Sequence, residues 1–359
     1  MNKYQELERN LTQNPKTWLI TGVAGFIGSN ILEKLLKLNQ RVVGLDNFST
    51  GYQRNLSQAK NALSVAQWAN FQLVNGDLRN IRDCEHAMTW RGAENKSIQN
   101  SSNSNVDYVL HHAAVGSVAH SIEDPLNSND NNVTGFLNIL ISAKKMRIKN
   151  LIYASSSAAY GDDSAPEKIE EALGRPLSPY AVTKTVNELY AQVFSRIYGI
   201  RAIGLRYFNV FGERQDPNGS YAAVIPRWVH EMLINKQVYI YGDGKTTRDF
   251  CYVGDIVQAN ILAATTKNKH AYNQVFNIAS GKSISLDQLF STLKSVLEIN
   301  SIDYNKRPTY ENFRLGDIKH SQANIDKAKN YLGYFPMHSL KDGLLSSVNN
   351  FLEMKKEFD

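Results

Sequence analysis

The stretch TWLITGVAGFIGSN, residues 17–30, decides the fold of this 359-residue chain. Its first part, TWLITG (17–22), is a short apolar run closed by a glycine, which predicts a buried β-strand. The run that follows, VAGFIGSNILEKLLKLN (23–39), changes to helical spacing, with an apolar residue at every third or fourth position. A strand that passes through a glycine-rich turn into a helix predicts the first unit of a doubly wound α/β sheet.

Similar units follow along the chain. Apolar runs predict further strands at 41–47, 71–77, 106–114, 149–157 and 200–209, and helical runs lie between them, as at 133–145 and 179–198. Strands that alternate with helices predict a parallel sheet with helices on both faces. Beyond residue 210 the pattern is more broken, which predicts a smaller second domain, and residues 1–16 predict a polar helical extension.

Composition excludes several classes of protein. Hydrophobic residues make up 42% and charged residues 21% of the chain, so it is neither disordered as a whole nor collagen-like. No apolar run approaches the roughly 18 residues that span a bilayer, and the polar start lacks a signal core, so we expect no membrane association and a cytoplasmic location. The two cysteines, Cys84 and Cys251, suit a reducing compartment and cannot form a four-thiolate zinc site.

Charge gives no sign of a nucleic-acid partner. The net charge of +6 comes from 40 basic and 34 acidic residues spread along the chain, without a block of like charges. Residues 90–105, rich in Asn and Ser, are expected to form a mobile surface loop without chemistry of its own. No metal site is expected, because His111 and His112 are adjacent at a strand end and so face opposite ways.

The glycine turn predicts a dinucleotide site. Gly22, Gly25 and Gly28 have the spacing G-x-x-G-x-x-G, which lets a pyrophosphate approach the free N–H groups of a helix N-terminus. Asp46 ends the second predicted strand, where a carboxylate accepts both ribose hydroxyls and repels a 2′-phosphate, so NAD is favoured over NADP. The flanking strand, helix and acid favour this interpretation over a simple tight turn. Asp77, in GDLR, is either an adenine contact or a cap at a strand end.

An acid–base pair is predicted on the helix at 179–198. Tyr180 and Lys184 are one turn apart and share a face, and beside a nicotinamide cation the lysine ammonium lowers the phenol pKa. A tyrosinate can then take a hydroxyl proton while hydride leaves the same carbon for NAD⁺. The same spacing recurs at Tyr241 and Lys245 in a Gly-Asp-Gly turn, where it is structural or marks a substrate-loop tyrosine.

A serine-rich strand end precedes this pair. Ser155, Ser156 and Ser157 lie about 24 residues before Tyr180, and a serine there can hydrogen-bond the reacting hydroxyl. The alternative is a helix face with a buried tyrosine, and the nucleotide-binding turn favours the acid–base interpretation.

Ten sequence runs indicate a family. They are TGVAGFIGSN, LDNFSTG, GDLR, HHAA, SSSAAYGD, SPYAVTK, RYFNVFG, QDPNGSYAAVIP, GDGKTTRDFCYV and FRLGDIKHS, and they cover about residues 17–335. With these runs the chain resembles extended short-chain dehydrogenases/reductases, specifically UDP-hexose 4-epimerases. LSPYAVTK and RQDPNGSYAAVIP are most similar to bacterial UDP-N-acetylglucosamine 4-epimerases of polysaccharide synthesis. Close relatives of that group act on UDP-N-acetylglucosaminuronate.

The resemblance implies a fold and a set of site residues. The fold is a Rossmann-type doubly wound parallel sheet that binds NAD (17–209, with a return segment near 248–268) and a smaller α/β UDP-sugar-binding domain (210–359). Ser156, Tyr180 as base and Lys184 as its partner would be catalytic. Cofactor-binding residues would be Gly22, Gly25, Phe26, Ile27, Asp46, Asn47, Ser49, Thr50, Gly51, Asp77, Leu78, His112, Ala113, Ala114, Asn131, Tyr180 and Lys184. Substrate-binding residues would be Gly116, Ser117, Ser155, Ser156, Asn209, Ala223, Val224, Tyr239, Tyr241, Arg248, Arg314, Asp317 and Ser321.

Ser321 matches the position that limits the sugar pocket in the family. A tyrosine there restricts the pocket, whereas a small residue leaves space for a 2-acetamido group, so serine favours N-acetylhexosamines. The alternative is a polar residue in a loop. The chain departs from close relatives at Ala119 and His120, where they have Pro and Arg, and this change bears on the choice between neutral and acidic sugars.

The implied reaction is the reversible C4 epimerisation of UDP-N-acetylglucosamine to UDP-N-acetylgalactosamine through a 4-keto sugar, with tightly bound NAD. The alternative is a UDP-N-acetylglucosaminuronate or UDP-glucuronate 4-epimerase. Dehydratases and decarboxylases are disfavoured because Ser157, Ala158 and Ala159 follow Ser156 where those enzymes have a carboxylate. A non-catalytic NAD sensor would have no reason to keep the three catalytic residues together. A homodimer that pairs helices 133–145 and 179–198 is implied as well.

Overall fold

The computed structural model describes residues 3–92, 104–217, 223–313 and 319–358, with side chains up to Glu353. A parallel sheet of seven strands lies at its centre, in the order β3-β2-β1-β4-β5-β6-β7. The strands are β1 (Thr17–Thr21), β2 (Arg41–Asp46), β3 (Phe71–Asn75), β4 (Tyr108–His111), β5 (Asn150–Ser156), β6 (Arg201–Tyr207) and β7 (Gln274–Ile278). The predicted α/β fold with a doubly wound parallel sheet is confirmed.

Helices cover the sheet and build the second domain. The α-helices in the described ranges are α1 (Lys3–Gln13), α2 (Phe26–Lys37), α3 (Gln53–Asn61), α4 (Val65–Trp68), α5 (Ile81–Ala87), α6 (Val118–Glu123), α7 (Pro125–Asn129), α8 (Gly135–Lys145), α9 (Pro179–Tyr198), α10 (Val224–Leu233), α11 (Val253–Thr265), α12 (Leu286–Ile299), α13 (Asp326–Leu332) and α14 (Leu340–Phe358). One π-helical turn, Asp130–Thr134, runs directly into α8.

The central strand β1 shows why the sheet has helices on both faces. All five of its residues are buried, and successive side chains of a strand point to opposite faces. Trp18 and Ile20 pack in a core with α2 and α11, whereas Leu19 packs in a second core with α5, α8 and α9. An apolar run without polar alternation is therefore what a strand buried on both faces requires.

The strand order changes direction beside β1, and this places the site. The chain runs from β1 outward to β3 and then returns to the other side of β1 as β4. At such a switch point a crevice opens beyond the carboxyl ends of the two central strands, and ligands of doubly wound sheets bind there. The glycine turn after β1 and the residues after β4 both lie at this crevice.

A third core forms the second domain. Helices α10, α12 and α14 pack around buried residues such as Trp228, Leu293 and Phe351. Short strand pairs complete the structure: Val210–Phe211 with Cys251–Tyr252, Tyr239–Tyr241 with Thr309–Glu311, Thr247–Asp249 with Ser283–Ser285, Glu167–Lys168 with Gln322–Ala323, and Thr89–Trp90 with Ser104–Asn105. The smaller α/β domain is present, and its boundary at 209/210 stays a prediction.

The return of the chain to the large sheet extends beyond the predicted segment. Helix α11 packs against the sheet within the segment 248–268, and the edge strand β7 at Gln274–Ile278 joins the sheet as well. At the N-terminal side, α1 buries Tyr4 and Leu11 against the first core. The central part of the Asn/Ser-rich stretch, 93–103, lies outside the described residues.

Candidate active site

The turn between β1 and α2 leaves no space for side chains at two of its glycines. Gly22 has a φ of +71°, and a Cβ there would lie 2.7 Å from the backbone nitrogen of Ala113. A Cβ on Gly28 would lie 2.1 Å from the carbonyl oxygen of Gly22, so helix and turn are in direct backbone contact. Helix α2 begins after Gly25 without a side-chain cap, which leaves the N–H groups of its first turn available to an anion.

Asp46 lies at the end of β2 beside this turn. Its two carboxylate oxygens accept the backbone N–H groups of Ala24 and Phe48, each at 2.8 Å. Burial raises the pKa of Asp46, and these two hydrogen bonds oppose the rise. Each oxygen keeps a further lone pair, so the carboxylate can also accept the ribose hydroxyls that the sequence predicted.

One cleft joins the two halves of the predicted site. It has a volume of about 450 Å³ and lies over the switch point of the sheet. Its walls include sixteen of the predicted cofactor residues: Gly22, Gly25, Phe26, Ile27, Asp46, Asn47, Ser49, Thr50, Gly51, Leu78, His112, Ala113, Ala114, Asn131, Tyr180 and Lys184. Four predicted substrate residues line the same cleft: Gly116, Ser155, Ser156 and Asn209.

Helix α9 carries Tyr180 and Lys184 into this cleft. The helix begins at Pro179, and the hydroxyl of Ser178 caps it by accepting the N–H of Ala181 at 3.1 Å. The backbone N–H of Tyr180 donates to the Ser121 hydroxyl at 3.0 Å, which fixes the start of α9 against α6. These contacts set the position of the phenol in the first turn of the helix.

Lys184 is buried one turn further along α9. Its ammonium donates to the carbonyl oxygen of Ala154 at 2.8 Å and lies 5.7 Å from the centre of the Tyr180 ring. Burial lowers the pKa of Lys184 to about 8, and the carboxylate of Glu188 opposes this fall. Near neutral pH the lysine therefore keeps its positive charge.

The protein alone does not lower the pKa of Tyr180 as the sequence predicts. Burial raises the pKa of this phenol, and the hydrogen bond with Ser156 opposes the rise. The Ser156 hydroxyl accepts the N–H of Ala158 at 3.1 Å, so its own proton is available to the phenol oxygen. The expected effect of Lys184 requires, in addition, the positive nicotinamide on which the sequence argument relied.

Several predicted residues lie elsewhere. Ser117 lines an adjoining cavity with His120. Asp77 is not part of the cleft wall: Arg79 binds its carboxylate with two nitrogens, Asn47 donates to it, and its pKa is lowered to about 2. Predicted substrate residues of the second domain also lie outside the cleft wall: Ala223, Val224, Tyr239, Tyr241, Arg248 and Ser321. Arg314 and Asp317 lie outside the described residues.

The structure adds two residues that lie within the quoted sequence runs but had no predicted role. Tyr207 and Gln215 line the cleft from β6 and from the segment after Phe211. Beside the cleft, the hydroxyl of Tyr52 donates to Asp216 at 2.5 Å. This hydrogen bond connects the loop after β2 with the segment that carries Gln215, across a sequence separation of 164 residues. A pairing over such a separation has no local sequence signal.

His111 and His112 are adjacent in sequence at a strand end, and their side chains have different hydrogen-bond partners. Nδ1 of His111 lies 2.9 Å from the Thr21 hydroxyl, and Nε2 of His112 lies 3.0 Å from the Tyr207 hydroxyl. Within the described ranges, no three His, Cys, Asp or Glu side chains come together as a metal site would require. None of the helices in the same ranges combines the length and apolar composition needed to cross a bilayer.

Comparison with known proteins identifies the family. The model of the NAD dependent epimerase/dehydratase family matches residues 18–279. The chain belongs to this family. The UDP-glucuronate 4-epimerase of Thermodesulfobacterium geofontis is 34% identical over 334 residues, which are 92% of this chain and 95% of that protein.

Solved structures of this family agree with the fold. The UDP-N-acetylglucosamine 4-epimerase of Methanobrevibacter ruminantium, in complex with UDP-N-acetylmuramic acid, is 37% identical with a TM-score of 0.81, covering 95% of this chain and 99% of that one. The UDP-glucose 4-epimerase of Thermotoga maritima, with UDP-glucose, is 34% identical with a TM-score of 0.80, covering 94% and 99%. The resemblance to epimerases of the extended short-chain dehydrogenase/reductase type is confirmed.

This epimerase is an NAD-dependent enzyme, as predicted, and its cleft fits that cofactor. The glycine turn accommodates a close-lying pyrophosphate, α2 offers its uncapped N–H groups, and Asp46 lies where the adenosine ribose would bind. When bound, NAD supplies reversible hydride transfer to and from carbon. The epimerase itself supplies a phenol, a hydroxyl and a buried ammonium that can hold and move the proton of a sugar hydroxyl.

Proposed function

We propose that this enzyme epimerises C4 of UDP-N-acetylglucosamine reversibly to give UDP-N-acetylgalactosamine, through a transient 4-keto sugar. The observation that carries the proposal is the cleft itself, in which Ser156, Tyr180 and Lys184 share a wall with the glycine turn. A redox-neutral cycle uses the same groups in both directions, so no second acid or base is needed. The cofactor then stays in place between turnovers.

Each residue has one task in this cycle. Tyr180 as tyrosinate takes the proton of the C4 hydroxyl and returns it after the sugar has turned over. Ser156 hydrogen-bonds the reacting oxygen and the phenol, so that the proton moves along a short path. Lys184 keeps a positive charge beside the phenol and favours the tyrosinate. Tight binding of UDP by the second domain would keep the ketone in the cleft.

The strand end after Ser156 disfavours other reactions of the family. Ser157–Tyr160 form a 3-10 turn, and Ala159 within it is buried. A dehydratase must protonate a leaving hydroxyl and remove a proton from C5, which calls for a carboxylate near this position. The stretch Ser157-Ala158-Ala159 contains none.

The choice of an N-acetylated sugar rests on Ser321. This residue is half-buried beside the short strand Gln322–Ala323, and its N–H donates to the carbonyl oxygen of Thr247 at 3.3 Å. Its small side chain leaves space that a tyrosine at the same position would fill. We propose that this space accommodates the 2-acetamido group.

Substituting Ser321→Tyr therefore should discriminate between sugars. We expect kcat/KM for UDP-N-acetylglucosamine to fall by at least about tenfold, because the phenol would overlap the acetamido group, and kcat/KM for UDP-glucose to change by less than about threefold. Ser321→Ala is the matched control and should leave both values close to those of the wild type. Equal losses on both sugars in the tyrosine variant would contradict the proposed role.

A uronic acid epimerase is the alternative. The relative from T. geofontis is a UDP-glucuronate 4-epimerase at 34% identity, close to the identities of the other relatives. In addition, the cavity that adjoins the cleft is lined by His120, at the position where close relatives have Arg. Ser117, from the same segment of the chain as His120, lines this cavity as well.

A competition assay tests the proposal and its alternative. Purified enzyme receives UDP-N-acetylglucosamine, UDP-N-acetylglucosaminuronate, UDP-glucose and UDP-glucuronate together, and the 4-epimers are resolved by chromatography. We expect UDP-N-acetylgalactosamine to form fastest, without added NADH. Faster conversion of either uronate would establish the alternative, and a 4-keto-6-deoxy product would show a dehydratase.

We also propose that the enzyme is a homodimer that pairs α8 and α9 with their copies. Helix α9 exposes Val182, Leu189, Val193 and Ile197 at spacings of seven, four and four residues, which is a continuous apolar stripe. Leu189 and Ile197 are 55% and 64% exposed, an unusual state for a helix face that does not meet a partner. A second copy of the chain would cover this stripe by forming a four-helix bundle.

The double substitution Leu189→Glu and Ile197→Glu should give a monomer in sedimentation experiments, because it places like charges opposite each other in the dimer. Val65→Glu, at a 90% exposed apolar residue on α4, is the control and should leave the mass unchanged. A dimer that persists in the double variant would place the interface elsewhere.

A further inference from the structure

A buried ion pair lies directly behind the predicted catalytic residues. Glu188, one turn after Lys184 on α9, and Arg206 on β6 are 4% and 2% exposed. The guanidinium binds both carboxylate oxygens, with Nε to Oε1 at 2.9 Å and Nη2 to Oε2 at 2.7 Å. Two parallel charge-assisted hydrogen bonds fix the relative orientation of α9 and β6 at this point.

The pair also holds the strand end that carries the catalytic serine. The hydroxyl of Ser155 donates to Oε1 of Glu188 at 2.6 Å, and Ser156 is the next residue of β5. Nη1 of Arg206 donates to the carbonyl oxygen of Glu170 at 3.0 Å. Glu188 thus connects α9 with β5, the strand on which both Ser156 and the Ala154 acceptor of Lys184 lie.

Stability alone does not explain such a pair. Removing two charges from water is costly, and a well-packed apolar pair in the same position is often equally stable or more so. A carboxylate on the face of α9 that carries Lys184 has a second effect, because it favours a positive charge on that buried lysine. Other titratable groups near Lys184 are Tyr180 on α9, His111 at the end of β4 and His112 directly after it, all neutral near pH 7. Tyr153 on β5 interacts with Glu188 and Arg206 and is neutral as well.

We propose that Glu188, held ionised and oriented by Arg206, is a positioning residue that keeps Lys184 protonated and fixes the Ser155–Ser156 strand end for proton transfer. The inference rests on the proposed function, in which Lys184 and Ser156 act with Tyr180. Glu188 is not part of the cleft wall, so it would reach the reaction only through these residues.

The pH profile tests the inference. Burial lowers the pKa of Lys184 to about 8, and Glu188 opposes the fall. Glu188→Gln keeps the size of the side chain and one acceptor oxygen, but it removes the charge, replaces the other oxygen with an NH2 group that cannot accept from Arg206, and leaves the Arg206 cation unpaired. We expect the alkaline limb of kcat/KM to move down by about one pH unit. At neutral pH kcat should fall by at least about tenfold, while KM changes by less than about threefold.

Stability provides a readout that does not depend on activity. A lysine with a lowered pKa in the folded state destabilises the fold while it is protonated, and this cost disappears as the pH rises through the folded pKa toward the unfolded value. In the wild type, the unfolding midpoint should therefore begin to rise near pH 8. In Glu188→Gln the rise should begin about one pH unit lower.

Two further variants guard against misfolding and nonspecific effects. The double variant Glu188→Gln with Arg206→Met contains no unpaired charge, and because Glu188 is the charge that acts on Lys184, its alkaline limb should still lie below that of the wild type. Lys168→Met removes another buried cation, one that binds Asp163 outside the cleft. It should lower the unfolding midpoint without moving the limb.

The possible outcomes separate the two proposals. If neither glutamine-containing variant moves the alkaline limb or the onset of stabilisation, the ion pair is only structural and the inference is wrong. If Lys168→Met moves the alkaline limb as far as the two glutamine-containing variants do, loss of any buried charge has this effect, and the inference is wrong as well. If the wild type converts none of the four UDP-sugars, the proposed function fails, and the unfolding midpoints alone then test the effect of Glu188 on Lys184.

Discussion

Substituting Tyr180→Phe should reduce kcat for epimerisation by roughly 10²- to 10⁴-fold, the range expected when a general base is lost. Phenylalanine keeps the ring in the first turn of α9 but removes the oxygen that takes the proton. The phenol carries a transferable proton, it hydrogen-bonds Ser156, and the ammonium of Lys184 lies 5.7 Å from the centre of its ring. Product formation from the preferred UDP-sugar is the measurement.

The cofactor provides the control for this variant. Phenylalanine keeps the ring in the cleft wall, and Gly22, Gly25 and Asp46 are unchanged, so the variant should contain as much NAD as the wild type after purification. A variant that keeps both NAD and substantial turnover would remove Tyr180 as the base. Loss of NAD together with activity would show that the residue mainly shapes the cleft.

Substituting Gly22→Ala should remove most of the NAD from the enzyme. A Cβ at this position would lie 2.7 Å from the backbone nitrogen of Ala113, so either the turn or the strand end after β4 must move. Both segments line the cleft, and their displacement changes the contact surface for the pyrophosphate. We expect NAD affinity to fall by at least about tenfold, which corresponds to about 1.4 kcal/mol.

Gly199→Ala is a close match as a control. Gly199 has a φ of +69°, almost the same as Gly22, but a Cβ there would have nothing within 4 Å. Both substitutions place alanine in a left-handed backbone conformation, which costs about 1–2 kcal/mol of stability. Only Gly22→Ala also brings the new Cβ into collision with Ala113. Titration of NAD against both variants, together with their unfolding midpoints, separates the two effects. Equal NAD affinities would show that the tight approach at Gly22 is unimportant for binding.

Local signals predicted the elements that position the site. Helix α9 has the predicted bounds, because Ser178 caps its start, Pro179 occupies the first turn and Gly199 ends it with a positive φ. The strand before the glycine turn was equally clear, since every residue of β1 is buried. Short-range sterics and capping decide such features, so a single sequence contains enough information to place them.

Features that depend on distant parts of the chain were missed or mistaken. The run 106–114 predicted a strand that is longer than the observed β4. The strand is shorter because the residues after His111 leave the sheet to approach Gly22. The edge strand β7 was not predicted, because the elements that it pairs with and packs against, β6 and α13, lie far from it along the chain. The ion pair of Glu188 with Arg206 is identified only by the fold, because its partners lie on a helix and on a strand, 18 residues apart.

The same limit explains the Tyr180 pKa. The sequence shows a lysine one turn from the phenol and suggests that the charge dominates. In the folded protein both groups lie against the sheet, and the loss of water around them raises the pKa of Tyr180 and lowers that of Lys184. The balance between a neighbouring charge and the loss of solvent depends on depth, which spacing along a helix does not reveal.

The hydrogen bond between Tyr52 and Asp216 has a consequence for how the enzyme handles its oxidant. It joins two segments whose neighbouring residues, Gly51 and Gln215, line the cleft, so a dinucleotide that bound between these segments would leave more readily after they separate. Most dehydrogenases must release a spent coenzyme after every turnover, and a barrier to exit would slow them. An epimerase regenerates its oxidant in place, so for such an enzyme a closed entrance would make NAD a resident prosthetic group rather than a second substrate.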